Sequence, residues 1–112
     1  MTVKFTGRSF DPRETLAQIG KMNLMAISGL RWGTSGKGSE VFKLHLPVGH
    51  GYRVDIELAA DDTYTVRRVF KRGQNEWVKG ERKGVYFDDI GQAAYYASCY
   101  ASYDEDEWVK KA

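Results

Sequence analysis

From residue 41 to residue 72 apolar and polar side chains alternate almost residue by residue, the period of a strand with one face buried. Phe42, Leu44 and Leu46 fall on one side of residues 41–46, and Lys43 and His45 on the other. Along residues 52–58, Tyr52, Val54, Ile56 and Leu58 oppose Arg53, Asp55 and Glu57. Residues 63–72 read as a third strand, and residues 76–80 and 83–87 as two more. Pro47 to Gly51 punctuate one hairpin, residues 59–62 the next, and Gly73, Gln74 and Asn75 the last. Connections this short predict an antiparallel meander, because a parallel crossover needs a dozen residues or more. Residues 30–32 are a candidate short strand, separated from residue 41 by GTSGKGSE (residues 33–40), a loop that is flexible by composition.

On either side of this block the period lengthens. Asp11, Pro12 and Glu14 form a helix start, with Asp11 as cap, Pro12 at the first helical position and Glu14 where a capping box places its acid. Leu16, Ile19, Met22 or Met25, and Ala26 then recur at spacings of three and four, which predicts one helix to about Ile27. Gly20 is its weak point, costing about 1 kcal/mol relative to Ala. Asp88 and Asp89 read as a second helix start with Gln92 as reciprocal partner. Ile90, Ala93, Ala94, Ala97, Tyr100 and Ala101 give that helix a stripe of mostly small residues, predicting close approach to what it covers. The expected fold is α+β: an N-terminal helix, a four- to five-stranded antiparallel meander, and a C-terminal helix packed on one sheet face.

The chain of 112 residues, 42% hydrophobic, supports one modest core. We read residues 1–103 as a single domain and residues 104–112 as a short acidic tail. The formal charge of +2 conceals an asymmetry: the domain carries +4 and the tail −2. With Cys99 the only cysteine, no intramolecular disulfide forms. Residues 1–14 lack the apolar segment of a secretory signal, and no apolar run approaches the ~20 residues that cross a bilayer. The expectation is a cytoplasmic protein, monomer or homodimer, with no membrane partner.

Three segments, QIGKMNLMAISG (residues 18–29), LPVGHGYRVDIELAADDTYTVRRVF (46–70) and GVYFDDIGQAAYYASCY (84–100), resemble small uncharacterised accessory proteins of tailed phages of actinobacteria. The resemblance spans about residues 15–100. It implies the host cytoplasm as the setting and supplies no catalytic residues.

Charge clusters in one place, residues 63–83, where seven Lys and Arg meet two Glu. If Tyr64, Val66 and Phe70 face the core, then Thr65, Arg67, Val69 and Lys71 face away, beside Lys43, His45 and Arg53. Such a face has three readings: a solvated sheet with cross-strand pairs among Arg53, Asp55, Glu57 and Arg67, a docking surface for a protein, or a phosphate-binding surface on which Trp77 or Tyr86 stacks a base. The candidate binding residues are Lys43, Arg53, Arg67, Lys71 and Trp77. Arg68 is out of place, since alternation puts it on the apolar side; a bulge or snorkelling would accommodate it.

No motif fixes a reaction. His45 and His50 lack the helical spacing and companion ligands of a zinc site, so no metal is expected. Residues 33–39 hold the letters of a phosphate loop without its spacing or its strand-to-helix setting. Asp61–Asp62 and Asp88–Asp89 have simpler roles as a turn and a helix cap. Catalysis would need His45 or His50 against a buried carboxylate in a cleft. The expectation is a small non-enzymatic protein without cofactor that binds and modulates a host protein; the alternative is a nucleic-acid-binding module using the basic sheet face.

Overall fold

The computed structural model describes residues 7–99. The acidic tail, Trp108, Tyr100 and Ala101 lie outside the described residues. Two helices, α1 (Pro12–Ile19) and α2 (Lys21–Ser28), precede five strands: β1 (Gly33–Lys37), β2 (Glu40–Gly49), β3 (Tyr52–Leu58), β4 (Tyr64–Arg72) and β5 (Asn75–Val85). A third helix, α3 (Ile90–Ser98), follows. The strands form one antiparallel sheet in the order β1-β2-β3-β4-β5, the expected meander.

The N-terminal helix is two helices rather than one. Gly20 takes φ +90° and ψ 147°, outside the helical region, and serves as both the C-cap of α1 and the N-cap of α2. Asp11 caps α1 as expected, accepting from the Arg13 amide at 3.0 Å. The break resets the helical phase. Leu24 and Ile27 turn to the core in α2, while Met22 and Met25, read from a continuous helix as core candidates, are exposed.

Three strand boundaries also differ from expectation. Residues 30–32 are not a strand, since Leu30 lies in the left-handed region at φ +69°; β1 instead forms within the supposed loop and closes on β2 through Gly38 and Ser39. Strand β2 runs on through Pro47 because a bulge between Pro47 and Gly49 absorbs the missing donor. The two final strands are one, β5, with register shifts opposite Tyr64/Val66 and Arg68/Val69. At the start of α3 no capping box forms: Asp89 makes no side-chain cap bond and Gln92 donates to the Tyr96 hydroxyl instead.

One face of the sheet carries the core. Leu44, Leu46, Val54, Ile56, Leu58, Val66 and Val85 pack with Ile19, Leu24, Ile27, Ile90, Ala93, Ala94 and Ala97 from the helices. Gly91 permits the close crossing of α3 on α1, since a Cβ there would lie 2.7 Å from the Ile19 carbonyl oxygen. A buried polar chain ties α1 to β4: the Tyr64 hydroxyl donates to Gln18 Oε1 at 2.7 Å, which leaves it to accept from Thr15 Oγ1 at 2.9 Å.

Arg68 is buried on this helix-bearing side, 4% exposed. Its Nη1 donates to the carbonyls of Ala97 (2.6 Å) and Ser98 (3.1 Å), in the last turn of α3. Among the described residues those oxygens have no intrahelical partner, and a cation there also suits the helix dipole. The guanidinium lies 4.1 Å from the centre of the Tyr52 ring. A residue that contradicts the alternation is therefore the clamp between the sheet and its last helix.

Candidate functional site

The three helices contact the sheet from the core side and, among the described residues, leave its other face bare. The pairings Asp55 with Arg67, Glu57 with Thr65 and Arg53 with Val69 fix this outer face, and alternation adds Lys71. Ser35 and Lys43 oppose one another across β1 and β2 at its near edge, and Glu76, Val78, Glu81 and Lys83 line its far edge on β5.

Four cations of this face, Lys43, Arg53, Arg67 and Lys83, are paired. Arg53 grips Asp55 with two hydrogen bonds, Nε to Oδ1 at 2.8 Å and Nη2 to Oδ2 at 3.0 Å, and reaches across β4 to both oxygens of Glu76 at 2.9 and 3.1 Å. Arg67 donates to Glu57 at 2.6 Å and to Glu81 at 2.6 Å. Lys43 stands 3.5 Å from Glu57, and Lys83 3.6 Å from Glu81. Asp55 and Glu57 lie beneath these long side chains and are only 2% and 3% exposed.

His45 extends the first network towards the sheet edge. Its Nδ1 is 2.6 Å from Asp55 Oδ1, and its Nε2 is 2.5 Å from Ser35 Oγ. Because Asp55 accepts only, a neutral His45 carries its proton on Nδ1, and Nε2 is the acceptor for the Ser35 hydroxyl. The histidine condition for catalysis is thus met as to the buried carboxylate, but on an open face rather than in a cleft.

The electrostatics follow from the pairing. Burial alone would raise the Asp55 carboxyl, yet the hydrogen bonds from His45 and Arg53 hold it below the usual carboxylate range. Glu76 is lowered chiefly by its hydrogen bond from Arg53. For Glu81 burial pushes upward, and the Arg67 hydrogen bond outweighs it to give a net lowering. Burial opposes the charge of Arg67, but Glu81 and Glu57 more than restore it and its pKa rises.

Of the five candidate binding residues, Lys43, Arg53, Arg67 and Lys71 share this face. Trp77 does not. It pairs with Phe70 across β4 and β5, so it lies on the helix-bearing side, where the two rings stack at 5.8 Å and Tyr52 meets Phe70 at 4.8 Å. Its 45% exposure is at the end of the core layer, away from the cations. Sequence reasoning missed Ser35, hidden in a segment read as loop, and the reach of Arg53 to Glu76 over an intervening strand. Near the Leu58 end a depression of about 230 Å³ is lined by Gly7, Glu57, Ala59, Thr65, Arg67 and Lys83.

Among the described residues no three His, Cys, Asp or Glu side chains converge as a metal site, and no helix is long and apolar enough to cross a membrane. No protein family, curated protein or solved structure matches the chain.

Proposed function

We propose that the chain is a small interaction protein that docks a host protein on its outer sheet face, in keeping with its resemblance to accessory phage proteins. The observation that carries this reading is the mixed-sign, pre-paired network on a bare sheet face. Lys43, Arg53 and Arg67 each stand against a carboxylate. A phosphate backbone gains affinity by pairing with cations and releasing their counterions, and here it would have to displace resident acids first. A protein surface of complementary mixed charge meets both signs without breaking the pairs.

Size supports the same reading. Five strands ~4.8 Å apart, with a central strand of seven residues, present roughly 550 Å² in projection before side-chain relief, close to the ~800 Å² per partner of a standard interface. Near the far edge Val78, 59% exposed, supplies an apolar contact between the charged rows.

The test is capture of partners from an actinobacterial host lysate, with and without nuclease treatment, by the wild type and by two charge variants. Lys71→Glu with Val78→Glu alters the outer face at exposed positions, and Arg13→Glu alters the helix side. A discrete protein retained by the wild type and by R13E, but lost with K71E/V78E, supports the docking role. Recovery that disappears with nuclease would replace it with the nucleic-acid alternative.

A further inference from the structure

We propose that Ser35 is an activated nucleophile, with His45 as its general base and Asp55 as the group that orients the base, and that the site accepts acyl groups from small esters. The geometry is a continuous relay: Ser35 Oγ to His45 Nε2 at 2.5 Å, and His45 Nδ1 to Asp55 Oδ1 at 2.6 Å. Three features beyond the distances assign these roles.

The tautomer is set. Asp55 is buried and accepts from Nδ1, so it is the neutral imidazole that presents an unprotonated Nε2 to the serine, the arrangement a hydroxyl nucleophile requires. Arg53 holds both Asp55 oxygens and so fixes the orienting carboxylate itself. Finally, the serine is reachable. It sits on edge strand β1 beside a break in register at Ser35/Gly36, on the face that none of the three described helices covers, and it is only partly buried. Alternate amides of an edge strand point away from the sheet without a backbone partner, and Lys43 stands directly opposite Ser35. Lys43, which also stands 3.5 Å from Glu57, is the cation in register with Ser35 that would face a developing oxyanion. An open site with no cleft suits a small activated ester.

The reaction balances without any added reagent. Ser35 Oγ bonds to the ester carbonyl carbon as its proton passes to His45 Nε2. The carbon–oxygen bond to the leaving group breaks, and that proton goes to the departing alcohol. Water then attacks the acyl-serine, giving a proton to Nε2, and the acid leaves as Ser35 Oγ takes the proton back. This chemistry stands independently of the docking role, since it needs no partner protein.

The test is labelling of the full chain with a fluorophosphonate probe, followed by intact mass and peptide mapping. The expected result is a single adduct on Ser35, absent from folded S35A and formed about tenfold or more slowly in H45Q. Labelling of H45A should recover on adding imidazole, which a merely structural histidine would not allow. Circular dichroism confirms that each variant keeps its fold. No adduct on the wild type, an adduct elsewhere, or equal rates in wild type and H45Q would overturn the assignment.

Discussion

Replacing Arg68 by Met keeps an unbranched stem as far as the position of Nε and removes the charge and the two hydrogen bonds to the end of α3. Hydrogen bonds from a charged donor contribute about 1.5–3 kcal/mol each, and a guanidinium over a partly buried ring about 1 kcal/mol. Some of this returns as the end of α3 relaxes around the shorter apolar side chain. A net loss of about 3 kcal/mol is expected, or roughly 12–24 °C in Tm for a domain of this size. Thermal unfolding followed by far-UV circular dichroism measures it, with urea unfolding to check that the m-value is unchanged. Arg68→Lys should fall between, since an ammonium keeps the charge without the planar fork. Arg72→Met, at the exposed end of the same strand, is the control and should shift stability by about 0.5 kcal/mol or less. If R68M melts no lower than R72M, Arg68 is not a clamp and the account of how α3 is held is wrong.

Other expectations concern the outer face and the helix crossing. The Asp55 carboxyl is held below its unfolded value, so its contribution is full above about pH 4 and is lost as pH falls through the folded pKa. Asp55→Asn should therefore be destabilised at pH 7, and its difference from wild type should shrink on acidification; a constant difference in urea unfolding between pH 7 and pH 2 would refute this. Glu57→Gln removes the acid shared by Arg67 and Lys43 and should cost about 1–2 kcal/mol, less than a fully buried pair because both cations keep some solvent contact. Its urea midpoint is the check. Gly91→Ala should lower stability by about 1–2 kcal/mol despite alanine's better helix propensity, because the new methyl group would press on the Ile19 carbonyl. A stabilised G91A would show that α1 and α3 cross less closely than described.

The strand faces were legible because a period of two leaves each residue only one choice of side. Alternation alone brings Lys43, Arg53, Arg67 and Lys71 onto one face and makes Arg68 stand out as a cation on the apolar side. What sequence hid had local physical causes. Strand β1, GTSGK, has no apolar period and is held by backbone pairing to β2, so Ser35 gave no sign of facing His45. One backbone conformation at Gly20 shifted the phase of every later residue in the second helix and exchanged Met22 and Met25 for Leu24 and Ile27. Trp77 was assigned to the cationic face from its neighbourhood in the chain, whereas its register with Phe70 puts it on the other side. The burial of Asp55 and Glu57 depends on the reach of Arg53 and Arg67 above them, which alternation alone does not encode.

Docking of a protein on the sheet face that the described helices leave open is tested by placing a photo-crosslinking amino acid at Val78 on that face and, separately, at Met22 on the helix side, then irradiating each protein in an actinobacterial lysate. The account predicts a discrete protein adduct from position 78 that survives nuclease, and no matching adduct from position 22. A nuclease-sensitive adduct at position 78, or a protein adduct only from position 22, would contradict it.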